Sequence, residues 1–170
     1  MVKIGVIFCS MGTSGYLTYF SVAVMPGDKF LNGIILGIGM VMACFLSGLL
    51  MKTIKDVYVF VFLTTLCALG NILYNFSNPA NGNIWSMFFL LVSVLGVGGA
   101  TNTSYFLMEA RMPPERQGSA MVILLTFSLL TSSQSSQIAY FAYPTPLIVI
   151  VSILILASIF AFTLPEPINI

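Results

Sequence analysis

The chain has 170 residues, of which 58% are hydrophobic and only 6% are charged, and its mean hydropathy is +1.03. A soluble domain has about 25% charged residues, so this chain cannot cover a water-exposed surface, and a lipid bilayer is the expected solvent for most of it. The net charge of +1 gives no indication of nucleic acid as a partner.

Six stretches of the sequence are long and apolar enough to cross a bilayer, since a spanning helix needs roughly 20 such residues. They cover about residues 2–24, 30–51, 57–75, 84–108, 118–140 and 147–164. The stretches are continuously apolar and do not alternate with a period of two, which favours helices over barrel strands. The prediction is an all-α, polytopic membrane protein that forms a single six-helix domain over residues 1–170.

The links between these stretches contain turn-forming and charged residues. They read MPGDK, KTIKD, SNPANGN, MEARMPPERQGSA and YPTP. Alternate links fall on alternate sides of the membrane, and one side then receives Lys3, Lys52, Lys55, Arg111 and Arg116. The other side receives only Lys29. Because basic residues favour the cytoplasmic side, both termini are predicted to be cytoplasmic, or on the matrix side in a mitochondrial membrane, and the organelle stays open.

The fourth link, MEARMPPERQGSA (Met108–Ala120), combines an acid at a helix end with two prolines, an arginine and a glycine. It resembles the link between helices 10 and 11 of major facilitator superfamily transporters, in their organic-ion and sugar branches. GTSGYLTYFSV (Gly12–Val22) resembles helix 7 of that family, and LPEP (Leu164–Pro167) resembles the end of its helix 12. The resemblance covers nearly the whole chain as a carboxy-terminal half, helices 7 to 12.

The same resemblance implies a cytoplasmic gate in which Glu109 joins a charge network with Arg111, Arg116 or Lys52. The alternative for Glu109 is a solvated helix end. Two features depart from the family pattern. The link at 51–56 carries charge but no glycine, and the fifth stretch lacks the charged residue that many organic-ion members have there. The second departure disfavours a strongly charged cargo.

Polar residues within the spans are candidates for binding a solute, because they are costly in lipid. The resemblance directs Tyr16 and Tyr19 at the cargo, while close helix packing is the alternative. Asn102 needs several hydrogen-bond partners and is equally a cavity or a packing residue. Gln134 and Gln137 share one helix face in TSSQSSQ (Thr131–Gln137), which lies either on a wet cavity or near the headgroups.

The glycines Gly33 and Gly37 have the spacing of a helix-packing motif. The sequence has no histidine, and its three cysteines form neither a disulfide framework nor a metal motif. No nucleophile–base pair or phosphate loop is present, so neither an enzyme nor a cofactor nor a metal site is expected.

Two functions stay open. The first is half of a secondary transporter that moves a small organic solute by alternating access and needs a second six-helix half. The second is a non-transporting structural or accessory subunit of a larger membrane complex. The partners expected in both cases are membrane lipid and another membrane chain.

Overall fold

The structure is a computed structural model that describes residues 2–24, 28–77, 84–139 and 145–164. These ranges contain only helices and short turns, and the helices are α1 (Val2–Val24), α2 (Lys29–Met51), α3 (Asp56–Phe76), α4 (Ile84–Glu109), α5 (Pro114–Ser132), α6 (Ser135–Ala139) and α7 (Thr145–Phe162). The predicted turns at MPGDK, SNPANGN and YPTP and the LPEP motif lie partly outside the described residues. The all-α prediction is confirmed for the described part of the chain.

Every predicted span has a helix at its position, and the ends differ by only a few residues except in the fifth. There the helix begins earlier, at Pro114, because proline lacks the N–H that the first turn would leave unbonded and its φ suits that turn. At the other end of the fifth span α5 stops at Ser132, and the short α6 continues after Ser133 and Gln134.

The interruption of the fifth span follows from its hydroxyl side chains. Thr131 Oγ1 donates to Phe127 O at 3.1 Å, and Ser133 Oγ donates to Leu130 O at 2.7 Å. Such bonds compete for the carbonyls of the preceding turn and bend helices. The polar run that marked this segment in the sequence thus ends the regular helix as well.

Four of the described helices are long and apolar enough to cross a membrane: α2, α3, α4 and α7. The bundle also exposes large apolar side chains while it buries many small polar ones. The exposed set includes Phe45, Phe62, Phe127 and Ile159, and the buried set includes Ser47, Ser93, Thr103 and Ser104. This distribution suits a hydrocarbon environment, in which helices associate through small residues and interhelical hydrogen bonds.

Helices α3 and α4 form the closest contact in the bundle. A Cβ on Gly96 of α4 would lie 2.6 Å from Leu63 O, and one on Gly70 of α3 would lie 2.6 Å from Ser93 N. Real Cβ atoms essentially never approach other atoms this closely. Only glycine at these two positions therefore lets the two backbones meet.

The predicted packing motif on α2 behaves differently. Gly33 and Gly37 are both exposed, and a Cβ on either would meet nothing within 4 Å. No described helix packs on this pair, so the contact predicted from their spacing is absent between the described residues. Instead Gly39 of α2, whose Cβ would lie 2.7 Å from Val94 Cγ1, faces α4.

The helix contacts repeat between the two halves of the chain. α1 packs against α5 and α7, while α4 packs against α2 and α3; α1 also contacts α4, and α3 contacts α7. If α1 is exchanged with α4, α2 with α5–α6, and α3 with α7, the same pairs of helices are in contact. The helix contacts therefore have an approximate two-fold pattern that relates two units, α1–α3 and α4–α7, with α2 and α5 on opposite flanks.

Candidate functional site

A groove with a volume of about 330 Å³ opens between α1, α2, α4 and α5. Its described lining comprises Met11, Gly12, Gly15, Tyr16 and Tyr19 of α1, Met40 and Cys44 of α2, Gly98, Thr101, Asn102 and Tyr105 of α4, and Leu125, Ser128 and Leu129 of α5. Helices α1 and α4 contact each other, and α2 and α5 supply the rest of the described lining. Side chains of both units, α1–α3 and α4–α7, thus line one volume.

Two tyrosines stand on the α1 side of the groove. Tyr16 and Tyr19 are 42% and 45% exposed, and their ring centroids lie 6.4 Å apart at 60° to each other. Residues three apart lie on the same helix face, which is why both rings reach the groove. Each ring offers an apolar face and a hydroxyl to a bound molecule, and neither is packed away in the core.

Asn102 is the polar centre of the opposite side. Its amide nitrogen donates to Ser47 Oγ at 3.1 Å, and Ser47 Oγ donates in turn to Cys44 O at 3.1 Å. These bonds fix the amide against α2. Its carbonyl oxygen accepts no hydrogen bond from the described residues, and a solute with an N–H or O–H group could supply one.

The two glutamines are not part of this groove. Gln134 lies at the interruption between α5 and α6, and Gln137 lies in α6; both side chains are exposed. The Gln134 amide has a 3.5 Å contact with Ser133 Oγ. Of the five candidates from the sequence, the structure therefore brings Tyr16, Tyr19 and Asn102 together and leaves the glutamines outside the groove.

The described lining of the groove carries no charged side chain. Its polar groups are hydroxyls, one amide and one thiol, between glycines and apolar residues. The described residues also contain no cluster of three or more His, Cys, Asp or Glu that could hold a metal ion. Such a surface can bind a neutral or weakly polar organic molecule through stacking and a few hydrogen bonds.

A second polar feature lies at one end of the bundle. Arg111, in the link between α4 and α5, donates to both carboxylate oxygens of Asp56, with Nη1···Oδ2 at 2.5 Å and Nη2···Oδ1 at 3.4 Å. Its Nη1 also donates to Leu107 O at 3.2 Å. The Arg111 side chain is 3% exposed and that of Asp56 is 20% exposed. This pair connects the α4–α5 link to the first residue of α3.

The other predicted gate residues lie at the same end of the bundle, but they are not part of this ion pair. Glu109, Arg116 and Lys52 are exposed, and none of them forms a salt bridge with another described residue. The backbone oxygen of Glu109 accepts from the side chain of Gln117 at 3.0 Å. The charge contact in the described structure is therefore between Arg111 and Asp56.

Two hydrogen-bond partners of the candidate residues, Asp56 and Ser47, were not singled out in the sequence. Asp56 and Arg111 are far apart in the chain, but the predicted topology puts them on the same side and their charges are opposite. These two features of the sequence could have indicated the ion pair. Ser47, the partner of Asn102, gave no comparable signal, because a lone serine in an apolar helix satisfies itself within the helix.

No protein-family model matches the chain, and no curated protein sequence matches it.

Proposed function

We propose that the chain is one half of a secondary transporter of the major facilitator type, which moves a small, uncharged organic solute by alternating access. The observation that carries this proposal is the uncharged groove between α1, α2, α4 and α5 that contains Tyr16, Tyr19 and Asn102. The groove is open along one side. A second six-helix half, from another chain or a second copy, closes it in the working transporter.

The two-fold pattern of contacts that relates the units α1–α3 and α4–α7 supports the proposal. Three crossings in each unit would give the two units opposite orientations in the membrane, which is the inverted-repeat arrangement of many secondary transporters. In such proteins the solute binds where the repeats meet. In this chain that place is the contact between α1 and α4, and both helices line the groove.

The Arg111–Asp56 pair supplies a gate in this proposal. Asp56 is the first residue of α3, in the unit α1–α3. Arg111 follows α4, the first helix of the unit α4–α7. The pair therefore connects the two units at one end of the bundle. The start of α1 and the end of α7 lie at that end, which the proposal assigns to the cytoplasmic or matrix side. Glu109, Arg116 and Lys52 contribute in contacts with the second half.

Cys44 gives a direct test, because its thiol is exposed and lines the groove. The chain is purified from its membrane with its partner, and neutral organic solutes are screened for protection of Cys44 from a methanethiosulfonate reagent. A transported solute at roughly ten times its Kd slows modification by about tenfold. The matched control keeps Cys9, which is half-buried and does not line the groove, as the single thiol; its rate stays unchanged.

Two leucine substitutions locate the site. Asn102→Leu removes the amide from the groove and abolishes the protection, whereas Gln134→Leu, outside the groove, leaves it intact. If no solute protects Cys44, or if Asn102→Leu has no effect on a solute that does, the groove is not the binding site.

A structural or accessory subunit is the second candidate function. The glycine-free link at 51–56 and the lack of a charged residue in the fifth predicted span favour it, since both depart from the pattern of transporting members. The mass of the natively purified complex distinguishes the two candidate functions. A transporter half purifies with one further six-helix half, whereas an accessory subunit purifies in a larger complex, and its groove is filled by a helix of a neighbouring chain.

A further inference from the structure

The end of the bundle that carries the Arg111–Asp56 pair also contains a cavity of about 470 Å³. Its described lining is Val2, Lys3, Ile4, Arg111, Met112, Pro113, Arg116 and Leu164. This volume thus lies between the first turn of α1, the link before α5, the first turn of α5 and Leu164, the second residue after α7. The described residues that line this cavity are all different from those that line the solute groove.

The lining combines cations with apolar side chains, and none of its described residues is acidic. Arg111 is held by Asp56, so Lys3 and Arg116 are the cations that a ligand would meet first. Lys3 Nζ donates to Thr163 O at 2.8 Å, which occupies one of its three donors. The Arg116 guanidinium is exposed and makes no hydrogen bond or ion pair with another described residue.

The position of the cavity narrows the ligand class. It lies where α1 and α5 begin and α7 ends, which is the level of the lipid headgroups if these helices span the membrane. Basic pockets between spans on the cytoplasmic or matrix side bind anionic lipid headgroups. Val2, Ile4 and Leu164 add apolar walls that a free phosphate ion would not use.

We propose that this cavity binds an anionic glycerophospholipid, with the headgroup phosphate on Lys3 and Arg116 and the start of an acyl chain on Val2 and Leu164. The inference requires that the chain be embedded in a membrane and does not depend on transport. A lipid bound here would hold the beginning of α5 against α1, next to the Arg111–Asp56 pair.

The test measures binding of fluorescent phosphatidylglycerol to the detergent-purified full chain. The double variant Lys3→Gln/Arg116→Gln raises the Kd about 30-fold, because each cation near an anionic headgroup contributes to affinity. The matched control is Lys52→Gln/Lys55→Gln, which removes the same charge from exposed positions at the same end. Its Kd rises less than about twofold. Equal weakening in both double variants would overturn the site.

Competition distinguishes the sources of the phosphate group. Short-chain phosphatidylglycerol displaces the probe, and inorganic phosphate at the same concentration does not; displacement by both to the same extent would overturn the lipid assignment. Phosphatidylcholine that competes as well as phosphatidylglycerol would overturn the role of the cations. Val2→Glu, at a position that is 80% exposed, adds an anion without disturbing the core and also weakens binding.

Discussion

Arg111 is the one charged residue that is buried among those the structure describes. Desolvating a guanidinium is costly unless its donors are satisfied, and the Asp56 carboxylate accepts from two of them. We therefore expect Asp56→Asn, which weakens these charge-assisted bonds, to lower the free energy of unfolding in detergent by about 2 kcal/mol. The substitution keeps the shape of the side chain and removes only its charge.

Glu109→Gln provides the matched control for this prediction. It makes the same change from carboxylate to amide at the same end of the bundle, but at an exposed residue without a described salt bridge. Its effect should stay within about 0.5 kcal/mol. Equal losses in the two variants would show that the Arg111–Asp56 pair contributes no specific stability.

Single residues also show how far the sequence can identify the site. Tyr16, Tyr19 and Asn102 could be proposed because a polar side chain in an apolar helix needs a reason to be there. Gln134 and Gln137 met the same criterion, yet they lie outside the groove. Their direction depends on where the helix stops, and the hydroxyl bonds that end α5 at Ser132 shift the periodicity on which a sequence argument relies.

At the scale of helices, glycine has two different roles in this chain. Gly96 lies where α3 and α4 touch backbone to backbone, whereas Gly37 lies on an open face of α2. We expect Gly96→Ala to destabilise the bundle by about 1–3 kcal/mol, because the neighbouring atoms are backbone and cannot move aside. Thermal unfolding in detergent measures the change.

The control for that substitution is Gly37→Ala. It adds the same methyl group at a position with nothing within 4 Å and improves helix propensity. It should therefore be neutral or stabilise the isolated chain by up to about 1 kcal/mol. A loss at Gly37 that matches the loss at Gly96 would contradict the described α3–α4 contact.

Sequence spacing predicted the helices well and their contacts poorly. The length of an apolar stretch reports the presence of a helix, but the pair Gly33 and Gly37 did not identify which helix face is packed. The glycines that matter, Gly70 and Gly96, lie on two different helices that meet only in the folded bundle. Their pairing is a property of the tertiary structure, and the sequence contains no local pattern for it.

At the scale of the whole molecule, the bundle consists of two units, α1–α3 and α4–α7, and a groove whose described lining is uncharged lies between them. The links that carry Lys52, Lys55, Arg111 and Arg116 lie at one end, as the Arg111–Asp56 contact requires. Lys29 begins α2 at the other end. Composition was sufficient to predict an all-helical chain, because it depends on the solvent around the chain and not on individual contacts, whereas the membrane sidedness inferred from the basic residues stays a prediction.

The most direct test of the account is the accessibility of single introduced cysteines in sealed vesicles of one orientation. Lys52→Cys, Arg116→Cys and Lys29→Cys are each placed in a variant without the native cysteines and labelled with an impermeant maleimide. The account predicts that the cysteines at 52 and 116 react from one face of the membrane and the cysteine at 29 from the opposite face. Reaction of the cysteines at 52 and 116 from opposite faces would contradict it.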